Sequence, residues 1–203
     1  SFRCFSRNGI SGSFGFFAGD TLPAALGAWV CALTESNMKS MYEESGWGWK
    51  GAEKRRELMD AEARYLVLFE DAAADGAGAA EAGESKDDAA ALVDGRRPLA
   101  FMHFRFLLED ADEVLYVYEC QVEERVRRKG LGMHLMLMAE VMAKKAAMKY
   151  VMLTVLNINT PAVRFYKERL RYQTDASSPS TLVDDESPYQ ILSKCVDPET
   201  LRA

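Results

Sequence analysis

The sequence predicts a mixed fold of the α/β or α+β class, in which one sheet carries helices on both faces. Three observations support this prediction: strand-like segments alternate with helical ones, one strand segment is apolar almost throughout, and a glycine-bearing turn joins a strand to a helix. With 203 residues, 48% of them hydrophobic, the chain is long enough for one domain with a sizeable core. We therefore predict a single domain over residues 1–203.

The first part of the chain predicts helices followed by a strand. Residues 33–45 contain Thr and Ser capping candidates and then helix-compatible spacing, and residues 47–60 continue as a broken helical segment. Residues 63–70 are rich in aromatic and aliphatic side chains, which is typical of a strand. Residues 71–95 consist mainly of Ala, Gly and acidic residues with little to bury, so we predict a mobile insertion between two strands.

A hairpin and a buried strand are predicted next. Residues 97–106 and 112–122 read as strands joined by a turn over residues 107–112, which suits an antiparallel hairpin. In residues 131–149 the apolar side chains recur at helical spacing; they are Leu131, Leu135, Met138 and Met142. Residues 150–157 are almost entirely apolar, as expected for a strand buried on both faces and paired in parallel.

The last part of the chain predicts one more helix and two strands. A helix over residues 159–170 is expected to have Thr160 as its N-cap and Pro161 at its first position. Strands are predicted at residues 171–174 and 189–196. The sheet that collects all these strands is therefore mixed.

The overall composition excludes several classes of protein. Twenty-five Lys and Arg against 31 Asp and Glu argue against nucleic-acid binding, which usually needs a basic face, and favour a basic partner. No run approaches the ~20 apolar residues of a membrane-spanning helix, so a soluble protein is predicted. The four cysteines lack metal-site or redox spacing and are predicted to be reduced thiols of the cytosol or nucleus. Residues 1–19 hold arginines and serines but no acid, a composition that transit peptides share.

Residues 125–132, "RVRRKGLG", place basic side chains and two glycines between a strand and a helix. Free amide N–H groups converge at such a helix start, and the helix dipole favours an anion there. Gly130 and Gly132 let the backbone approach a ligand, and the basic residues can meet further phosphates. The ligand this predicts is a pyrophosphate with an additional phosphate. A solvated basic patch or a localisation signal is the alternative, whereas a dinucleotide loop would need glycine at Leu135.

The pattern R-x-x-G-x-G resembles the acetyl-CoA signature of the GNAT acetyltransferases. The resemblance implies the GNAT fold, with a mostly antiparallel mixed sheet, and acetyl-CoA as cosubstrate without a metal. The residues it implies for CoA binding are Val122, Arg127, Arg128, Lys129, Gly130, Leu131 and Gly132. "NTPAVRFYKERLRY" (159–172) is similar to the family's second CoA element. There Asn159 would bond the pantetheine arm, and Tyr166 would lie near the thiol as a proton donor. An ordinary tyrosine of an amphipathic helix is the alternative for Tyr166.

Residues 37–60, 99–106, 112–132, 151–155 and 187–194 together resemble the N-terminal acetyltransferase D (NatD) family. That resemblance implies acetylation of the N-terminal amine of histone H4 and histone 2A, whose tails open Ser-Gly-Arg-Gly. It further implies a monomer of the nucleus and cytoplasm that contacts the ribosome during synthesis, with no nucleic-acid or membrane binding.

The same resemblance assigns roles to individual residues. Glu119 would be the catalytic glutamate. The residues that would line the peptide site are Tyr42, Trp47, Tyr116, Tyr118 and Tyr189. One departure concerns Leu107, which stands where the family has an aspartate. Glu109 or Asp110 would have to replace that aspartate, and the alternatives are a GNAT enzyme for another amine or a CoA-binding module with impaired catalysis.

The position of Glu119 can also be considered without the family. Strand alternation places it on the face of Leu115 and Val117, opposite Tyr116 and Tyr118, unless a bulge intervenes. A carboxylate on an apolar face has a raised pKa, which suits a base for a peptide amine. Solvation at the end of the strand is the alternative interpretation.

Overall fold

The structure is a computed structural model that describes residues 3–71, 95–179 and 186–197. Its strands are β1 Cys4–Arg7, β2 Ile10–Ala18, β3 Arg64–Glu70, β4 Pro98–Glu109, β5 Asp112–Val122, β6 Tyr150–Leu156, β7 Gln173–Thr174 and β8 Tyr189–Cys195. Its helices are α1 Ala24–Glu44, α2 Gly51–Leu58, α3 Leu131–Lys145 and α4 Thr160–Arg164, the last continued by a π-helical turn over Phe165–Arg169. Nearly all of the predicted insertion at 71–95 lies outside the described residues.

The strands form one eight-stranded sheet in the order β1-β2-β3-β4-β5-β6-β8-β7. Helices pack on both of its faces, so the predicted mixed fold is confirmed. On one face, α1 and α2 bury Leu26 and Leu58 against Tyr65 and Phe101 of the sheet. On the other face, α3 and α4 cover a larger cluster that includes Met102, Leu115 and Leu153.

A hairpin at the start of the chain was not predicted. β1 and β2 pair antiparallel with Arg7 opposite Ile10, and the two residues between them have positive φ, 54° at Asn8 and 76° at Gly9. Such a two-residue turn matches the twist of the strands, and Asn-Gly is its preferred sequence. The Asn-Gly dipeptide was therefore the signal from which this hairpin could have been predicted.

Two predicted helix starts were wrong, for different physical reasons. Thr34 is not a cap: it lies within α1, where its hydroxyl donates to the carbonyl of Val30 at 2.8 Å. Helix α1 begins earlier because Leu26, Trp29 and their neighbours bury an apolar stripe against the sheet. At α4 the cap is Asn159, whose Oδ1 accepts from the N–H of Ala162 at 3.3 Å. Thr160 is accordingly the first residue of the helix.

The sheet opens between two neighbouring strands. β5 and β6 pair in parallel only from Val114 opposite Tyr150 to Val117 opposite Leu153. Beyond that point β5 stays paired with β4 as far as Val122, and β6 stays paired with β8 as far as Leu156. The two strand ends therefore diverge and leave a gap whose walls are backbone and inward-facing side chains.

Candidate active site

The gap between β5 and β6 is part of a cavity of about 1210 Å³. Its walls come from the diverging strand ends, from α1, and from the first turns of α3 and α4. Every site residue that the sequence predicted lies in its lining, except Lys129. The backbone carbonyl of Lys129 accepts from Asn8 Nδ2 at 2.9 Å, which joins this loop to the first hairpin. The predicted site residues extend from Tyr42 to Tyr189 in the chain, and the fold brings them together around this cavity.

One end of the cavity is an anion cradle at the start of α3. Gly130 caps the helix with φ of 94°, a left-handed conformation that a side chain would strain. The first N–H groups of a helix have no partner within it, and those of α3 stand at the cavity wall. Arg127 and Arg128 immediately precede this turn and also line the cavity. The glycine at the turn, the amide donors and these two guanidinium groups fit a diphosphate with further phosphate.

Asn159 and Tyr166 stand on the opposite wall of the cavity. Asn159 Oδ1 accepts the hydrogen bond that caps α4. The NH2 group of the same side chain is left to donate to a bound molecule. Tyr166 lies in the π-helical turn, a distortion often found at functional sites. Burial, then Cys120 and Glu119, raise the pKa of Tyr166 well above its ordinary value. The phenol therefore keeps its proton and is available as a donor.

A β-bulge determines which way Glu119 points, and it is the exception under which strand alternation does not place this residue with Leu115 and Val117. The pairing between β4 and β5 shifts from His103 opposite Glu119 to Phe104 opposite Val117, which leaves Tyr118 as the extra residue. A bulge reverses the alternation of the side chains that follow it. Glu119 therefore lies on the same face as Tyr118, beneath α1 and α2, rather than with Val117. The ring of Tyr118 stacks on His103, with the ring centroids 4.9 Å apart.

Glu119 is a buried carboxylate held between two donors. It is 5% exposed; its Oε1 accepts from Lys54 Nζ at 3.1 Å, and its Oε2 accepts from Gln121 Nε2 at 2.7 Å. Burial raises the pKa of Glu119, and the charge of Lys54 and both hydrogen bonds oppose that rise. The net shift is upward, so the pKa of Glu119 moves toward the range that a general base needs near neutral pH.

Lys54 forms ion pairs with two carboxylates, those of Glu119 and Glu57. Its Nζ also donates to Glu57 at 2.7 Å and lies 5.5 Å from the centre of the Tyr42 ring. Burial alone lowers the pKa of Lys54, but Glu119, Tyr42 and Glu57 raise it more strongly. The ammonium is therefore charged throughout the physiological range and favours the ionised form of Glu119.

The other end of the cavity is walled by aromatic rings. Trp47 stacks between Tyr42, with centroids 5.4 Å apart, and Tyr189, at 4.7 Å. Tyr116 contacts Tyr118, and the hydroxyl groups of Tyr116 and Thr154 share a hydrogen bond of 2.5 Å. These rings form a continuous aromatic wall at this end of the cavity.

Carboxylates accompany the aromatic end. Glu57 and Glu109 line the cavity there. Glu109 ends β4, whereas Asp110 lies in the following turn with φ of 47°. Of the two acids considered as replacements for the family aspartate at position 107, Glu109 therefore has the suitable place. Leu107 itself is partly buried and pairs with Val114.

Several lining residues were missed by the sequence analysis. Lys54, Asn37 and Gln121 surround Glu119, yet the first two belong to helices far from it in the chain. The one local signal was Lys54 three residues before Glu57, a common surface pair. Nothing in that spacing indicates that the lysine turns inward.

Metal-binding groups and membrane-spanning helices are both lacking in the described part of the chain. Within residues 3–71, 95–179 and 186–197, no group of three or more His, Cys, Asp or Glu side chains could hold a metal ion. Over the same part of the chain, no helix has the length and apolarity needed to cross a membrane.

Comparison with solved structures identifies similar folds. The chain resembles NAA60 of Arabidopsis thaliana in complex with acetyl-CoA, with 11% identity and a TM-score of 0.57 over 90% of this chain and 98% of that one. Ard1 of Thermoplasma volcanium shares 16% identity and a TM-score of 0.54 over 91% and 97%. PaiA N-acetyltransferase of Thermoplasma acidophilum, in complex with coenzyme A, shares 12% identity and a TM-score of 0.55 over 90% and 99%.

Comparison with protein families is more decisive. The profile of the Acetyltransferase (GNAT) family matches residues 39–171, a stretch that contains the bulged strand, the anion cradle and the capped helix α4. The cradle fits the phosphates of the family's cosubstrate, and the strand gap gives access to a buried carboxylate. The chain is therefore a member of the GNAT acetyltransferase family, whose cosubstrate is acetyl-CoA.

Proposed function

We propose that this acetyltransferase is an N-terminal acetyltransferase of the NatD type, which acetylates the N-terminal amine of histone H4 and histone 2A. The observation that carries the proposal is the placement of Glu119. It is buried at the junction between the anion cradle and the aromatic end of the cavity, so a tail entering from the aromatic end would present its first nitrogen there.

The chemistry follows from what these side chains can do with protons. Bound acetyl-CoA supplies the acetyl group as a thioester. A peptide amine has a pKa of about 7.7–8.0, so roughly a tenth of it is already neutral at pH 7. As the amine nitrogen bonds to the acetyl carbon, Glu119, directly or through one water, takes the proton that the amine loses. Tyr166 donates its phenol proton to the sulfur as the carbon–sulfur bond breaks, and the proton on Glu119 then returns to the Tyr166 oxygen through solvent.

Alignment contributes more than proton transfer. The cavity holds both substrates between fixed walls, and positioning two reactants in this way can supply several kcal/mol of the barrier reduction, on the order of 7–11 in favourable cases. The stacked rings of Tyr42, Trp47 and Tyr189 leave little room for a large first side chain. Glu57 and Glu109 offer negative charge to the arginine of a Ser-Gly-Arg-Gly tail.

The resemblance to the NatD family also supports proposals about the cellular setting. We infer that the enzyme is a monomer of the nucleus and cytoplasm that meets its histone tails there or at the ribosome. The net charge of −6 suits such basic partners.

Acetylation of a defined peptide tests the proposal. The protein is incubated with acetyl-CoA and an N-terminal peptide of histone H4, and fragmentation by mass spectrometry locates the acetyl group. We expect the acetyl group on the N-terminal nitrogen and none on lysine. A peptide that begins with a bulky residue and polyamines serve as controls. Preferential acetylation of polyamines would contradict the proposal and favour an enzyme for small amines.

Two variants separate catalysis from CoA binding. Glu119→Gln is nearly isosteric but cannot accept a proton at neutral pH, so we expect kcat to fall at least about a hundredfold. Leu107→Asp restores the family residue, and we expect no loss or a gain of activity. Calorimetric titration with CoA checks that both variants still bind the cosubstrate. Tight CoA binding by the wild-type protein without any turnover of the peptide would instead favour an impaired binding module.

A further inference from the structure

A row of polar side chains connects the anion cradle to Glu119. Arg127 Nη2 donates to Asn37 Oδ1 at 2.5 Å. Asn37 Nδ2 donates to Gln121 Oε1 at 2.9 Å, and Gln121 Nε2 donates to Glu119 Oε2 at 2.7 Å. The row therefore spans the cavity wall from the phosphate end to the buried carboxylate.

The two ends of the row determine that every hydrogen bond in it is donated from the Arg127 side toward Glu119. A guanidinium group can only donate hydrogen bonds, and an ionised carboxylate can only accept them. Asn37 must therefore turn its oxygen to Arg127 and its NH2 group to Gln121. Gln121 must in turn present its NH2 group to Glu119. Each amide orientation is thus determined by the partners and does not depend on telling nitrogen from oxygen.

Burial increases along the row. Arg127 is exposed and Asn37 is partly buried, whereas Gln121 is 6% and Glu119 5% exposed. A hydrogen bond to a buried charge is stronger than one between neutral groups at the surface. The Gln121 donor therefore affects both the charge and the orientation of Glu119.

We propose that Asn37 and Gln121 are positioning residues that hold Glu119 ionised and in one orientation. The orientation of their own amide groups is set by Arg127 of the cosubstrate's phosphate site. The inference rests on the proposed function only for the role of Glu119 as the base. Arg127 keeps further N–H groups beside those that contact Asn37 and Val122, so it can hold a phosphate and the row at the same time.

Other charged and titratable groups also face Glu119, and they are the same in all variants described below. They are Lys54 and Glu57 from α2, Tyr42 from α1, Tyr65 from β3, His103 from β4, Cys120 from β5 and Tyr166 from the π-helical turn. A variant of Gln121 or Asn37 leaves each of them in place. A change in the titration of Glu119 is therefore attributable to the row.

The test measures the titration of Glu119 directly and needs no turnover. Protein labelled with 13C at the glutamate carboxyl carbon is titrated by NMR, and the signal missing from Glu119→Gln identifies Glu119. In Gln121→Met the donor is absent, and we expect the Glu119 midpoint to rise by about one pH unit. CoA affinity, measured by calorimetry on the same protein, should change less than twofold because Gln121 contacts Arg127 only through Asn37.

Asn37→Leu is the second variant, and it adds no charge. Leucine neither accepts from Arg127 nor donates to Gln121, so the orientation of the Gln121 amide is no longer set by Arg127. We expect the midpoint to rise here as well. Gln173→Met is the matched control, because it removes the same amide group from the exposed strand β7 and should leave the midpoint unchanged.

The possible results separate this inference from the proposed function. A raised Glu119 midpoint in Gln121→Met and Asn37→Leu, together with an unchanged midpoint in the control, supports the inference whether or not the histone peptide is acetylated. A Glu119 midpoint in folded Gln121→Met equal to that of the wild type overturns the inference, even if the peptide is acetylated. Should Gln121→Met not fold, Asn37→Leu alone decides in the same way.

Discussion

At the scale of single residues, the site depends on how one buried carboxylate is kept charged. Desolvation favours the neutral acid of Glu119, and the ammonium of Lys54, 3.1 Å from its Oε1, favours the anion. Opposed effects of this kind place a pKa between its ordinary value and that of a fully buried acid. We therefore expect Lys54 to affect activity through the charge of Glu119.

Replacing Lys54 should change the pH dependence of the reaction. In Lys54→Met the Glu119 carboxylate loses the positive charge that lowers its pKa, so that pKa should rise. Because the base acts as the anion, we expect kcat/KM to fall most at low pH and the deficit to narrow as the pH rises. Peptide acetylation measured from pH 6 to 9 tests this. Lys50→Met removes an exposed lysine of the same segment and is the control; a deficit independent of pH would contradict the argument.

At the scale of elements, a bulge in β5 and a glycine turn before α3 orient the groups that line the cavity. The extra residue at Tyr118 turns Glu119 under α2, and the left-handed Gly130 aims the first turn of α3 into the cavity. Both are local departures from regular geometry. Neither needs a change in the rest of the sheet.

Two glycines of the cradle should respond differently to alanine. Gly130→Ala places a side chain at φ of 94°, and we expect a loss of about 1–2 kcal/mol in the free energy of unfolding. Gly132 is within α3, where an added Cβ would meet Phe165 at an ordinary 3.7 Å. Gly132→Ala should therefore be neutral or more stable by up to about 1 kcal/mol. Urea denaturation measures both, and equal losses would show that crowding rather than φ matters.

At the scale of the whole molecule, charge is divided along the cavity. Arg127 and Arg128 line the end with the cradle, and Glu57 and Glu109 lie by the aromatic rings at the other end. An anionic group and a cationic group are therefore drawn to different ends. This division favours a cationic acceptor over an anionic one.

Neutralising Glu109 tests this division of charge. We expect Glu109→Gln to raise KM for a Ser-Gly-Arg-Gly peptide about threefold to tenfold at low salt, with little change in kcat. The increase should shrink as salt is added, because exposed charges are screened. A peptide with alanine in place of the arginine is the comparison. The proposal for Glu109 fails if both peptides lose affinity equally.

The buried His103 should affect stability in acid. Burial, then the charges of Arg105 and Lys54, lower its pKa to about 3 from an ordinary 6.5. Between those values the unfolded chain binds a proton that the folded one does not, so this residue reduces stability as the pH falls. His103→Phe keeps a ring between Tyr65 and Tyr118.

We therefore expect the unfolding free energy of His103→Phe to decline less steeply than that of the wild type between pH 6.5 and pH 4. Denaturant titrations at several pH values measure the two curves. Between pH 7 and pH 8 the curves should run parallel, since His103 and its unfolded counterpart are both neutral there. Parallel curves in acid as well would mean that His103 is protonated in the folded protein.

The sequence by itself determined the elements whose signals are local. The strand 112–122 was predicted with its observed bounds, and the glycines of residues 130–132 predicted the anion cradle, because alternation and φ preferences act within a few residues. Tertiary packing decided the start of α1, the direction of Glu119 after the bulge and the meeting of Lys54, Asn37 and Gln121 around it. Those features depend on buried area and on contacts between residues far apart in the chain, and spacing along one segment carries no information about them.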